Sequence, residues 1–186
     1  KFESARVIGK EETVVPATED SANRTANCAP HPLCDKIQYC AADYQKWGGK
    51  KKPFFNEYRE QLADWCSSPY RHPKAVAIFA YLQHGTLTED LIKEKILHIG
   101  VDGKLLIREK GIDKSLKKEK EQFEIFKSIT AKEGVKDQGD AFIRWHVKSM
   151  HDPCTAVWED KSLFESWINY DASTKNTVGF CIVTGE

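Results

Sequence analysis

The sequence predicts an α+β fold: an N-terminal helical hairpin and further helices packed on one face of a mostly antiparallel C-terminal sheet, the whole stapled by disulfides. Three observations carry this expectation. Between about residues 35 and 97 apolar residues recur three and four apart, the period of a helix with one buried face. After about residue 143 apolar and polar residues alternate, the period of a strand. Six cysteines, an even number, include Cys28, Cys34 and Cys40 close together, with Cys66, Cys154 and Cys181 scattered along the rest of the chain.

In chain order, residues 1–26 are polar, with Val7, Ile8, Val14 and Val15 as small apolar clusters, and read as a flexible N-terminal leader ahead of one domain over 27–186. From residue 35 to 47 the positions Ile37, Cys40, Ala41, Tyr44 and Trp47 make one apolar helix face, ended by Gly48-Gly49. Pro53 suits a first helical position, and Phe54, Phe55, Tyr58, Leu62, Trp65 and Cys66 continue a second helix as far as Ser67-Ser68-Pro69. These two form the hairpin. Residues 73–83 are apolar on nearly every side, as in a buried helix, with Gly85 placed to end it in the left-handed region. Thr86-Leu87-Thr88-Glu89 has capping-box spacing for a helix over 87–97. Asp102-Gly103 predicts a tight turn into a strand at 104–107, with 96–101 as its competing partner strand. Asp113 can cap a helix to about residue 131, and 134–139 is a loop. The remainder reads as strands: Ile143, Trp145 and Val147 alternate with Arg144, His146 and Lys148, then come 164–170 and 177–183.

The cysteine spacing contains no Cys-x-x-Cys, which argues against zinc and thioredoxin-like chemistry and for disulfides. In an antiparallel hairpin turning at 48–52, Cys34 comes level with Cys66, so that pair is expected to bond. Cys28 and Cys40 then pair with Cys154 and Cys181 in an order left open. Disulfides, the sequon at Asn23-Arg24-Thr25 and a first residue, Lys1, that fits a removed signal peptide together predict a secreted glycoprotein. The chain has 28 basic and 28 acidic residues, so no global field favours nucleic acid, and no nucleic-acid partner is expected. The longest apolar run, 75–82, is far short of the roughly 20 residues of a membrane span.

The most specific local string is His151-Asp152-Pro153-Cys154. Over these four residues it resembles the His-Asp-x-Cys core of secreted phospholipases A2, which implies a histidine that activates water and an aspartate that holds calcium. The sequence departs from that family in lacking its glycine-rich calcium loop, and Pro153 would break the helix that carries the pair. His146 with His151 would suit a ribonuclease-like acid-base pair, but a separation of five places them on opposite sides of a strand. Because Asp152 precedes a proline, His151-Asp152-Pro153 reads more simply as a turn, with Cys154 as a half-cystine. No nucleophile elbow, phosphate-cradling glycine loop, dinucleotide fingerprint or zinc-protease motif occurs, and no cofactor or metal is expected.

Binding residues are expected around the first helix connection. Trp47, Lys50, Lys51, Lys52 and Phe54, flanked by Tyr44 and Phe55, form a glycine-lysine loop edged by aromatics and suited to an acidic protein surface or acidic glycan. The functional expectation is therefore a secreted, disulfide-stabilised binding protein acting on a host, cell-surface or other extracellular partner. Its alternative is a secreted hydrolase with a dispersed His/Asp site drawn from His146, His151 and Asp152.

Overall fold

The structure, a computed structural model, describes residues 1–9, 11, 13–24, 28–109, 123–150 and 152–175. Among these, seven helices, α1 (Glu19–Ala22), α2 (Ile37–Cys40), α3 (Phe55–Ser67), α4 (Pro73–Leu82), α5 (Leu87–Lys93), α6 (Ile125–Ser128) and α7 (Lys161–Thr174), accompany one small sheet. That sheet pairs β1 (Ile107–Glu109) antiparallel to β2 (Val135–Asp137), with Ile107 opposite Asp137 and Glu109 opposite Val135. The described fold is thus mostly helical, and the expected α+β architecture with a C-terminal antiparallel sheet is not what forms.

The largest departure is α7, which occupies the segment read as a strand over 164–170. Asp160 caps it by accepting the Leu163 amide at 3.2 Å. Leu163 and Trp167, four apart, are both buried, while Ile168 and Lys161 face out. Aromatic content suggested β-structure there, but the apolar spacing is helical, and burying Leu163 and Trp167 contributes roughly 1.5 to 3 kcal/mol each. The alternation of Ile143, Trp145 and Val147 is real, since all three pack on the core. Their partner is a loop, so pairing stops at isolated bridges such as His146 with Ala156.

Earlier elements follow the helical period more closely. The first expected helix keeps only α2; Ala41 is extended and turns carry the chain to residue 47, yet Tyr44 still reaches the core. α3 starts two residues after Pro53 and buries Tyr58, Leu62, Trp65 and Cys66. Trp65 meets Trp167 edge-on at 5.2 Å and donates to Ser166 Oγ at 3.1 Å, which joins α3 to α7. α4 has Pro73 in its first turn, and Gly85 follows its end at φ 65°. The Thr86–Glu89 capping box does not form. Asp43, more than forty positions away in sequence, accepts the Thr88 and Glu89 amides at 2.9 Å each, and Thr86 Oγ1 donates to Asp90. At the Asp102-Gly103 turn, Gly103 sits at φ 71°, and Ile99 faces Leu105 across a short hairpin. Residues 110–122 and 176–186 lie outside the described residues, and with them most of the helix expected from Asp113 and the strand at 177–183.

The segment 28–40, with its three cysteines, is tied to the rest of the fold by packing and hydrogen bonds and not by disulfides. The Leu33 carbonyl accepts from Tyr58 Oη at 2.6 Å and Trp145 Nε1 at 2.7 Å. Asp35, fully buried, accepts both Arg24 guanidinium nitrogens, at 2.6 and 2.5 Å, and the amides of His31 and Lys36. Cys28, Cys34, Cys40, Cys66 and Cys154 are all free thiols, so the expected Cys34–Cys66 bond is absent; Cys181 lies outside the described residues. Burial pushes the Cys34 thiol up to about 12 and Cys66 to about 11, and holds Cys40 well above its ordinary range. These cysteines behave as small core hydrophobes. Near the start of the chain, Phe2 stacks on Tyr81 at 5.9 Å and Lys148 pairs with Glu3 at 2.6 Å.

Candidate functional site

Tyr44 organises the connection between α2 and α3. Its ring is fully buried, and two glycines lie against it: a Cβ added to Gly49 would come within 2.3 Å of the ring, and one added to Gly139 within 2.4 Å of the hydroxyl. Its hydroxyl accepts the Lys51 amide at 3.3 Å and donates to Asp137 at 3.4 Å. Burial first, and then the Asp137 carboxylate, push that hydroxyl far above its ordinary pKa, so it stays protonated. On the other side, Gly48 at φ 79° packs on the Lys104 side chain, and the Leu105 amide donates to the Trp47 carbonyl at 2.8 Å. The Phe54 amide donates to the Gln38 carbonyl at 2.9 Å and closes the loop's far end. The glycine-lysine loop is thereby anchored at both ends and in the middle.

The anchored loop delivers Lys51 to a carboxylate. After β2 the chain makes one 3-10 turn, Gln138–Asp140, capped by Asp137, which accepts the Gly139 amide at 2.8 Å. Gln138, fully buried, sets this turn by accepting the His98 amide and donating to the His98 and Leu106 carbonyls. The Asp140 side chain is only 7 % exposed and accepts from Lys51 Nζ and from Lys36 Nζ, the latter at 3.1 Å. Burial alone would raise the Asp140 pKa, but the hydrogen bonds from Lys51 and Lys36 outweigh it and hold the carboxyl below its usual range.

A third lysine joins them. Lys132 sits on a tight turn into β2, in which Lys132 and Val135 exchange backbone hydrogen bonds at 2.8 Å and Glu133 and Gly134 both have positive φ. The Lys36 charge, helped by burial and Lys51, pushes the Lys132 pKa down against the pull of Asp140. Lys132 has no ion pair among the described residues. Two ammonium groups on one carboxylate leave a surplus of positive charge there, to which the charge of Lys132 adds.

Of the expected binding residues, Lys51 belongs to this cluster, and Lys50 and Lys52 are exposed beside it. Phe54 stacks on Tyr39 at 4.9 Å and carries the Lys52 ammonium over its ring at 5.3 Å. Trp47 is half-buried, with Lys46 over its ring at 5.6 Å and its indole Nε1 buried without a hydrogen-bond partner among the described residues. The sequence reading missed Lys36, Lys132 and Asp140. No local spacing links them, and the nearest signal is the pair of glycines that follows Tyr44 and Trp47.

Of the expected catalytic candidates, His146 and Asp152 are among the described residues, and they have separate partners. Asp152 pairs with Lys74 Nζ at 2.7 Å and accepts the Cys154 amide at 2.9 Å. Lys74, buried, also donates to Asp160 and to the Cys154 carbonyl, so it ties α4 to the start of α7. Asp152 therefore serves this structural ion pair. His146 is exposed, lies 3.1 Å from Thr155 Oγ1 and meets Trp158 edge-on at 4.7 Å; burial lowers its pKa. It opens on a cleft of about 360 Å³ that Asp152 does not line. His151 lies outside the described residues. Among the described residues no group of three or more His, Cys, Asp or Glu could hold a metal, and no helix is long and apolar enough to cross a membrane.

Compared with known proteins, the chain matches the family model of the CRISPR-associated protein Cas_Csd1 over residues 3–186. No curated protein and no solved structure matches it. The family match corrects the functional expectations. A CRISPR-associated protein serves an intracellular prokaryotic defence, so the secreted glycoprotein, its extracellular partner and the secreted-hydrolase alternative all fall. The exclusion of nucleic acid falls with them. Its physical error was to average: a balance of 28 basic and 28 acidic residues says nothing of a face where two lysines share one aspartate.

Proposed function

The chain belongs to the Cas_Csd1 family of CRISPR-associated proteins, and from that premise we propose that it works in the prokaryotic cytoplasm within a Cascade-type complex, contacting nucleic acid alongside other Cas proteins. The face it uses is the anchored lysine loop, with Lys50 and Lys52 outermost and Lys51 drawn in toward Asp140. The observation that carries this reading is the surplus of positive charge there, with the backbone on which it stands held by Tyr44. A polyanion gains from such a surface because lysines that neutralise phosphates release condensed counterions, a term that does not depend on sequence. Fixed lysine stems lose less conformational freedom on binding than free ones, so more of that gain is kept. The surface offers charge and flanking aromatics, and it is a binding surface, not a catalytic one.

Fluorescence anisotropy of the purified protein with labelled oligonucleotides, repeated over a series of salt concentrations, tests the proposal. Binding should weaken linearly in log-log form as salt rises. The double variant Lys50→Glu, Lys52→Glu should weaken binding at least about tenfold at moderate salt while leaving the melting temperature unchanged, because both side chains are exposed. Absence of salt-dependent binding by the unaltered protein, or full binding by the double variant, would overturn the proposal.

A further inference from the structure

We propose that Lys36, Lys51 and Lys132 together form one phosphate subsite, which takes a single backbone phosphodiester of the bound strand, with Asp140 as the positioning residue that gathers them. This rests on the reading of the lysine face as a nucleic-acid contact and assigns the place where it grips. One carboxylate is neutralised by one cation, so a purely structural ion pair would need only Lys51 or Lys36. The structure instead places both on Asp140, and Lys132, with no ion pair of its own among the described residues, is near enough to interact electrostatically with Lys36, Asp140 and Lys51. Gathering like charges is unfavourable unless enough negative charge joins them, and the single Asp140 carboxylate cannot neutralise more than one of these ammonium groups.

The backbone supports the same reading. Lys36 is bridged to Phe142, and the next amide, that of Ile37, donates to the Ala141 carbonyl at 2.9 Å, so Lys36 is registered against the Asp140 turn. Lys51 is fixed by its amide on Tyr44, and Lys132 by its turn into β2. Three segments remote in sequence therefore present their ammonium groups from fixed points. Each ammonium has three N–H donors, and Asp140 uses only part of them. What remains suits the two non-bridging oxygens of a phosphodiester, which lysine recognises as a point charge. RNA and DNA supply the same group, so the chemistry does not choose between them.

The experiment compares the full chain with Lys132→Gln, Lys36→Gln and the control Lys161→Gln, an exposed lysine on α7 outside the cluster. Each is titrated with single-stranded RNA and single-stranded DNA of one base sequence over a salt series. Lys132→Gln is the primary variant because Lys132 is exposed and bonds no carboxylate among the described residues, so folding is preserved. Loss of the whole subsite would lower the salt slope by about 0.7, the value for one phosphate contact on a single strand, so Lys132→Gln and Lys36→Gln should each remove part of that and weaken binding, whereas Lys161→Gln changes neither. The arm that shows the reduction identifies the source of the phosphate. A second readout is amine-selective acylation followed by peptide mapping: Lys132, with its depressed pKa, should label early in the free protein and be protected by the oligonucleotide. Salt-dependent binding by the unaltered chain, with an unchanged slope in Lys132→Gln or undiminished labelling of Lys132 in the complex, overturns the subsite alone. Failure of the unaltered chain to bind either strand overturns it together with the reading on which it rests.

Discussion

Two glycines and a tyrosine decide where the lysines stand. Gly49 and Gly139 come from segments some ninety positions apart, yet each leaves no room for a Cβ against Tyr44. Overpacking of this kind in a filled interior costs roughly 1 to 3 kcal/mol, because either the ring leaves its rotamer or the backbone shifts. Gly49→Ala and Gly139→Ala should therefore each reduce the unfolding free energy by that order and lower the urea midpoint accordingly. Gly9→Ala, where an added Cβ meets nothing within 4 Å, should leave it unchanged. Displacement of the loop would also carry Lys51 away from Asp140, so the destabilised variants should lose nucleic-acid affinity beyond what their folded fraction explains. A Gly49→Ala protein with an unaltered midpoint would show that Tyr44 has slack around it and that the loop is held by something else.

Between elements, one tie outside the candidate site is the buried Lys74. It joins the first turn of α4 to Asp160, the cap of α7, and to Asp152. Burial alone would raise the Asp160 pKa, but hydrogen bonds from Lys74, Ser162 and the Leu163 amide bring it down to about 2. A carboxyl depressed in the folded state contributes stability that is present above its unfolded pKa, near 3.8, and is lost as pH falls toward the folded value. Stability should accordingly fall between about pH 4 and pH 2 through this group. Lys74→Met, close in volume, would leave the Asp160 carboxylate buried beside an apolar chain, at a cost of roughly 3 kcal/mol near neutral pH. Chemical denaturation across pH checks both statements: the variant should be less destabilised relative to the parent at the acid end, where Asp160 is protonated. An equal penalty at every pH would mean that lost packing, and not the ion pair, is what the substitution removes.

For the molecule as a whole, what was legible in the sequence was whatever is encoded locally. α3 and α4 follow from apolar residues three and four apart with prolines at their starts, and the hairpin at Asp102-Gly103 from its turn chemistry. α7 was misread because Phe164, Trp167 and Tyr170 satisfy β-propensity and helical spacing alike, and only the neighbouring α3, whose Trp65 meets Trp167, decides between them. The cap of α5 and the lysine cluster were invisible for a related reason: Asp43 and Asp140 act on residues that no sequence window joins to them. The glycine-lysine loop was half legible, its lysines and aromatics evident but its anchor hidden. The cysteines misled, since an even count implies disulfides only once an oxidising compartment is granted. Reduced thiols make a testable whole-molecule statement, because stability must then come from the packed core around Tyr58, Trp65 and Leu163. The melting temperature should be the same with and without a reductant. Alkylation of the native protein should label the exposed Cys28 first and the half-exposed Cys154 more slowly, while Cys34 and Cys40, buried and with thiols held far above their ordinary pKa, react only after denaturation. A melting temperature that drops on reduction, or a non-reducing peptide map that joins Cys34 to Cys66, would restore the disulfide-stapled architecture and remove packing as the sole support of this fold.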